Sequence, residues 1–132
     1  MAPAAYQTIR AHLEDLKCAP TDFDLIVTGD LGQTGKELLM ELALKDGISL
    51  AGKITDCGTL IFDNTTQDVH SGGSGCGCSA ITLCGYLLEQ LNCGKLKKIL
   101  FCGTGALLSP TSTQQGLTIP GVCHGVCIVG GR

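Results

Sequence analysis

Aromatic and charged residues are both scarce in this sequence. Tryptophan is absent, aromatic residues make up 4% of the 132 positions, and charged residues make up 16%. The 9 lysine and arginine residues are outnumbered by 12 aspartate and glutamate residues, which gives a net charge of −3. This balance provides no positive surface that could attract nucleic acid. No apolar run approaches the roughly 20 residues that a membrane-spanning helix needs. We therefore exclude nucleic-acid binding and a membrane span.

Cysteine, by contrast, is abundant, with 9 residues. The number is odd, and the sequence does not open with the charged and apolar segments of a secretory leader, so we expect a reduced, cytoplasmic protein. Most cysteines, including Cys84, Cys102 and Cys127, lie inside apolar runs, where a thiol behaves as a small hydrophobic side chain. With 44% hydrophobic residues, we expect one domain over residues 1–132 with a very complete core or a large surface for a partner.

Hydrophobic periodicity predicts an α/β fold. Apolar residues at helical spacing indicate three helices, and short apolar runs indicate buried strands. Thr34 is the predicted N-cap of the second helix, with Glu37 completing a capping box. The predicted helices cover residues 3–16, 34–47 and 75–94, the predicted strands cover 25–27, 59–62, 99–102 and 122–129, and a loop is predicted at 103–120.

The third predicted helix is apolar nearly all round, so we expect it to be buried against the sheet, with the Leu100 strand at or near the centre. The sequence opens on a helix, and few strands remain to cover three apolar helices. We therefore expect this chain to be part of a larger protein and to expose apolar surface when alone.

A glycine-rich segment at residues 70–80 runs directly into the third helix. It contains four glycines and no side chain larger than histidine. A turn of this kind at a helix start leaves backbone N–H groups unpaired beside the positive end of the helix dipole, a place suited to an anion. Tight helix packing without a ligand explains the glycines equally well.

Several catalytic and metal-binding motifs fail on their spacing or residue types. Residues 29–36 lie between a strand and a helix, but five residues rather than four separate the two end glycines, and Glu37 stands where a P-loop has Ser or Thr. Residues 72–76 resemble the nucleophile elbow of serine hydrolases, but no acidic residue follows Glu89. A zinc site is not expected, because two groups lack a recognised spacing: Cys76 with Cys78, and Cys123 and His124 with Cys127.

Three strings of the sequence, residues 24–32, 67–80 and 104–112, resemble the stage V sporulation protein AD (SpoVAD) family, in order and over essentially the whole chain. The resemblance implies a thiolase-like fold, in which two similar α/β halves form a five-layered body. The chain is similar to the C-terminal half only, beginning after that half's first strand. We therefore expect a thiolase-like half-domain that associates with the N-terminal half or with a second thiolase-like chain, and a homodimer.

For function, the resemblance implies binding rather than catalysis, with no cofactor. The family takes part in moving dipicolinic acid (pyridine-2,6-dicarboxylate) into the developing spore, beside the SpoVA membrane proteins, at the forespore inner membrane. Thiolases and ketoacyl synthases place their nucleophilic cysteine in the other half. The position of their helix-start histidine is best matched by Ser74, with Gly72 and Gly73 as alternatives. Acyl transfer is therefore the alternative, supported by residues 102–105, which are similar to a glycine-rich thiolase segment. A structural module without a ligand is a second alternative.

We predict that a carboxylate ligand binds near the start of the third helix. Unpaired N–H groups there are the donors that a dianion needs, and the loop after a buried parallel strand opens at the same edge. The loop at residues 109–112 is expected to close over the site. The predicted ligand-binding residues are His70, Ser74, Gly75, Cys76, Gly77, Ser79, Thr104 and Gly105.

Overall fold

The structure, a computed structural model, describes residues 1–131. Ten helices and strands follow one another, together with a 3₁₀ turn at Pro20–Asp22. A π-helical turn at Leu83–Leu87 joins two short helices into one helical segment over residues 78–92. In chain order, the elements are α1 (Ala2–Asp15), β1 (Leu25–Thr28), α2 (Gly32–Lys45), β2 (Ile54–Asp56), α3 (Cys57–Leu60), α4 (Cys78–Thr82), α5 (Leu88–Asn92), β3 (Lys98–Ala106), α6 (Pro110–Gln114) and β4 (Gly121–Val129).

The four strands form one mixed sheet in the order β2-β1-β3-β4. The first three strands are parallel, and β4 runs antiparallel to β3 from Lys98 opposite Val129 to Ala106 opposite Gly121. The α/β class and the central position of the Leu100 strand are thus confirmed. The predicted helix at 3–16 and the strands at 25–27, 99–102 and 122–129 are also confirmed, within a few residues at their ends.

Helices cover both faces of the sheet because successive strand residues point to opposite sides. On one face, α1 and α2 bury Ile9 and Leu39 against Ile26 and Leu100. On the other, Leu87 and Leu91 of segment 78–92 pack with Val27, Ile99 and Phe101. Each such side chain contributes roughly 1.5–3 kcal/mol when fully buried, so these two clusters hold the helices to the sheet.

Segment 78–92 packs against the mixed sheet as predicted, but only one of its faces is buried. Cys78, Thr82, Leu87 and Leu91 point inward, whereas Ile81 is 64% exposed and Tyr86 is 47% exposed. Within residues 1–131 no further layer covers the outer face. The expectation of a fully buried helix therefore holds for its sheet-facing side alone.

The predicted N-cap of α2, Thr34, is wrong by three residues, because the N-cap is Leu31. The helix begins at Gly32, because the backbone N–H groups of Leu31 and Gly32 donate to the carboxylate of Asp56 at 2.9 Å each. The N–H of Thr34 donates to Ser71 Oγ. A side chain 24 residues away thus supplies the cap in place of the predicted Thr34–Glu37 box.

Two other predicted elements are also wrong. The strand expected at 59–62 is absent, because Asp56 accepts the N–H of Gly58 and so starts the short helix α3 directly after β2. The loop expected at 103–120 is partly ordered. β3 extends to Ala106 by pairing with β4, and Ser109 caps α6 through its hydroxyl.

Candidate functional site

A cleft of about 420 Å³ lies where β1 and β3 end and segment 78–92 begins. Its position follows from the topology, because the carboxyl ends of neighbouring parallel strands open at one edge of the sheet. Its volume falls in the range of small-molecule sites, roughly 300–1,000 Å³. The residues lining it are Met1, Asp30, Ser74, Gly75, Cys76, Ser79, Thr104, Gly105, Ala106 and Leu108.

The carboxylate of Asp30 is the hydrogen-bonding centre of this cleft. Its two oxygens accept from Thr104 Oγ1 at 2.9 Å, Ser74 Oγ at 3.0 Å and the backbone N–H of Gly75 at 3.3 Å. One side chain thus ties together the ends of β1 and β3 and the glycine-rich segment. No Lys or Arg side chain is among the lining residues, and Asp30 is the one acidic side chain among them.

A second carboxylate, that of Asp56, lies fully buried close behind the cleft. It accepts from Thr28 Oγ1 at 2.6 Å and from the N–H groups of Leu31, Gly32 and Gly58 at 2.9 Å each. A buried carboxylate is tolerated where such donors replace the lost water. Asp56 therefore positions β1, α2 and α3 around the cleft without lining it.

The glycines of residues 72–75 have two different environments, some tightly packed and one open. A Cβ on Gly72 would lie 2.5 Å from Gly58 O, and one on Gly73 would lie 2.8 Å from the Phe62 ring. These two positions need glycine for close packing. Gly75, at φ +125°, would point a Cβ into open space. The packing interpretation thus fits Gly72 and Gly73, and an open cleft wall fits Gly75.

Six of the eight predicted ligand-binding residues line this one cleft: Ser74, Gly75, Cys76, Ser79, Thr104 and Gly105. Gly77 directly precedes α4 and is not among the lining residues.

The structure does not bring His70 to the other predicted residues. Its side chain is 85% exposed, and its Nδ1 lies 3.0 Å from Asp68 Oδ1 in a separate surface groove formed by residues 64–70. His70 has a φ of +53°, so the backbone turns at this residue.

Backbone donors remain at the mouth of the cleft. Within residues 1–131, the N–H groups of Ser74, Cys76 and Gly77 make no hydrogen bond, and neither does the Ser79 hydroxyl. The Gly75 N–H, one of the backbone donors predicted for a ligand, instead donates to Asp30, as does the Ser74 hydroxyl. The unpaired donors of residues 76–79 therefore lie next to the groups that Asp30 already binds.

Two thiols beneath the cleft are held protonated. Burial, with the nearby Asp56 charge as a second cause, raises the pKa of Cys57 to about 12, and burial also raises the pKa of Cys78. The Cys76 thiol is exposed at the cleft. Among residues 1–131, no group of three or more His, Cys, Asp or Glu side chains is arranged to hold a metal ion.

Sequence reasoning missed Asp30 and Asp56, the two carboxylates that organise the site. The sequence contains a signal for both. Asp30 follows the end of β1 by two residues, and Asp56 is the last residue of β2. Polar side chains at the carboxyl ends of parallel strands meet at one edge. This signal was missed because β2 was not predicted, since a strand of three residues is too short to be recognised by periodicity.

The fold is that of an α/β protein with a cleft at the carboxyl edge of a mixed sheet. The family model of "Stage V sporulation protein AD (SpoVAD)" matches residues 1–129. The chain therefore belongs to the SpoVAD family.

A curated relative, "Stage V sporulation protein AD" of Bacillus subtilis (strain 168), is 46% identical over 126 residues. The matched region covers 96% of this chain and 37% of that relative, so the chain spans well under half the length of the protein it matches. In the part of the chain that the structure describes, no helix is both long and apolar enough to cross a membrane.

Proposed function

We propose that the chain binds dipicolinic acid in the cleft, as a non-catalytic part of the machinery that moves this dianion into the developing spore. The observation that carries the proposal is the convergence of Cys76, Ser79, Thr104 and Gly105 on one cleft of small-ligand size. Family membership supplies the sporulation context.

The unpaired donors indicate how the ligand would lie. One carboxylate would accept from the Cys76 N–H and from the Ser79 hydroxyl, which line the cleft and have no partner within residues 1–131. Asp30 lies beside these donors, because the adjacent Gly75 N–H donates to its carboxylate, and its charge repels an anion. Affinity in this chain is therefore limited by its own carboxylate, and neutralising Asp30 should strengthen binding.

Acyl transfer is the less favoured candidate. A cysteine nucleophile needs a base within hydrogen-bond reach, and no imidazole is among the cleft-lining residues described. His70 instead lies against Asp68. These observations support a binding role for the Cys76 region rather than a catalytic one.

We also propose protein partners for this chain. The exposed apolar side of segment 78–92, with Ile81 and Tyr86, is suited to pack against another thiolase-like half or chain. We propose SpoVA membrane proteins as the further partners and the forespore inner membrane as the location. A chain acting only as a structural module would use the same apolar side but would not respond to the ligand.

Isothermal titration and thermal melting with dipicolinate test the proposal. Ligand at 100 times its dissociation constant should stabilise the chain by about 2.7 kcal/mol. Ser79→Ala should weaken binding and Asp30→Asn should strengthen it, whereas Ser49→Ala, at an exposed serine outside the cleft, should change nothing. Ser79 is a better probe than Gly75, because any side chain at φ +125° strains the backbone.

Two results would contradict the proposal. A melting temperature that dipicolinate leaves unchanged would favour the structural module. Binding that is equally strong in the Ser79 and Asp30 variants would place the ligand outside this cleft.

A further inference from the structure

The outer edge of β4 is the surface that the function proposed above does not use. β4 is the last strand of the sheet. Gly130 N donates to Lys97 O at 2.8 Å and Leu107 N donates to Pro120 O at 3.1 Å, one bond at each end of the β3–β4 ladder. Bonded and non-bonded pairs alternate in an antiparallel ladder. The even-numbered residues of β4 therefore bond to β3, and the odd-numbered residues direct their backbone groups outward.

One of these outward-facing backbone groups already has a hydrogen-bond partner within the chain. Thr8 Oγ1, on α1, donates to the carbonyl of Cys123 at 3.0 Å. Within residues 1–131, the outward N–H and C=O groups of Gly125, Cys127 and Val129 have no hydrogen-bond partner. We call these three residues the β4 edge.

The β4 edge carries none of the usual protections against strand pairing. Proteins guard free edges with charged side chains, proline or a bulge. Residues 121–129 contain no Asp, Glu, Lys, Arg or Pro, and their pairing with β3 continues without interruption. Val126 and Val129 are 50% and 67% exposed, so apolar side chains flank the edge.

We propose that the β4 edge pairs antiparallel with the β4 edge of a second copy, about a two-fold axis at Cys127. In this register Cys127 lies opposite its own counterpart, and Gly125 lies opposite Val129. Each directly opposed pair exchanges two hydrogen bonds, so every group of the β4 edge finds a partner. A two-fold axis at Gly125 would instead require the Cys123 carbonyl, which Thr8 already occupies.

The same register uses the groove next to the edge. A groove of about 370 Å³ runs between α1 and residues 121–124, and its α1 side is lined by Ala4, Gln7, Thr8 and Ala11. Gly131 of the second copy would lie opposite Cys123 and enter this groove. Having no side chain, it fits beside small neutral residues, and no like charges oppose one another along the strand pair.

Sedimentation equilibrium and light scattering test the proposal on the 132-residue chain. A dimer is expected, and Cys127→Pro should raise its dissociation constant at least tenfold. This variant removes the outward N–H and the thiol that packs against the core, but no bond of β4 to β3, because those bonds use the even-numbered residues, so circular dichroism should be unchanged. Cys127→Ala keeps the N–H and should remain dimeric. If the Cys127 proline variant fails to fold, Val129→Pro removes another outward N–H nearer the strand end.

Cys127 also provides a native cross-linking site. Bonded antiparallel pairs have Cα atoms about 5.5 Å apart, within the range of a disulfide, about 4.4–6.8 Å. Copper–phenanthroline with oxygen would accept the two electrons and two protons of the thiol pair as the S–S bond forms. Cys127→Ser should abolish the covalent dimer, and Cys93→Ser, at an exposed cysteine elsewhere, should not.

Three outcomes would overturn the proposal. These are a monomeric chain, a dimer that both proline variants leave intact, and cross-linking that persists without Cys127. A chain that is monomeric alone and pairs through β4 only with an added extended peptide would assign the edge to a different occupant.

Discussion

Thr104 and Asp30 are joined by two hydrogen bonds in opposite directions. The Thr104 hydroxyl donates to the Asp30 carboxylate at 2.9 Å and accepts the Asp30 backbone N–H at 3.0 Å. The approach is so close that a Cβ on the neighbouring Gly29 would lie 2.8 Å from Thr104 Oγ1. The pair fixes the end of β1 to the end of β3, and so sets the width of the cleft.

Replacing this hydroxyl should loosen the cleft. Thr104→Val keeps the shape of the side chain but leaves the Asp30 N–H without its acceptor, at a cost of about 1–3 kcal/mol in the free energy of unfolding. Thr104→Ser keeps the hydroxyl and is the matched control. Urea denaturation measures both, and equal stability of the two variants would show that the pair is not needed.

The Asp56 carboxylate should be the most sensitive polar side chain of the fold. Asp56→Ala leaves the N–H groups of Leu31, Gly32 and Gly58 without an acceptor in a buried place. We expect a loss of at least about 3 kcal/mol, from about 1–3 kcal/mol for each unsatisfied group. Asp63→Ala, at an exposed carboxylate that bonds only within its own turn, should cost far less in the same chemical denaturation.

Asp30 and Asp56 also show why the sequence predicted the residues that line the cleft better than the carboxylates that position them. The predicted strands at 25–27 and 99–102 are continuous apolar runs, and the glycine-rich segment is a local pattern, so both can be recognised from the sequence. Asp56 acts on residues 24 and 25 positions away, and β2 has only three residues. Neither feature leaves a periodic signal, and the start of α2 was therefore predicted too late.

Asp24 should give the fold a measurable dependence on acid. The backbone N–H groups of Lys97 and Lys98 donate to its carboxylate at 2.6 and 2.9 Å and hold its pKa below the ordinary 3.8. The charged form therefore stabilises the folded state above pH 3.8, and this contribution is lost as the pH falls through the lower, folded-state pKa. The melting temperature of the native chain should exceed that of Asp24→Asn at pH 7, and the difference should shrink as the pH falls below 3.8. A constant difference would contradict this assignment.

Thiol reactivity should report on the cleft. The exposed Cys76, Cys84 and Cys93 should react with a disulfide reagent in the folded chain. Buried Cys57, whose pKa is raised to about 12, should react only after unfolding, because the thiolate is the reactive form. Dipicolinate should slow the reaction of Cys76, which lines the cleft, and leave Cys84 and Cys93 unaffected. Mass spectrometry of the modified cysteines distinguishes these positions, and equal slowing of all three would point to a general effect on folding.

The π-helical turn at Leu83–Leu87 determines where segment 78–92 can lose one residue and still pack against the sheet. Its inward residues Cys78, Thr82, Leu87 and Leu91 are separated by four, five and four positions, and the five-position step coincides with the wide turn, whose bonds join residues five apart. Loss of one residue from this turn, such as Gly85, would restore an ordinary helix with both ends still in phase. Loss of one residue after it would rotate Leu91 by about 100° away from the sheet. Within this helix, a single-residue deletion can be absorbed at the wide turn and not in the turns around it.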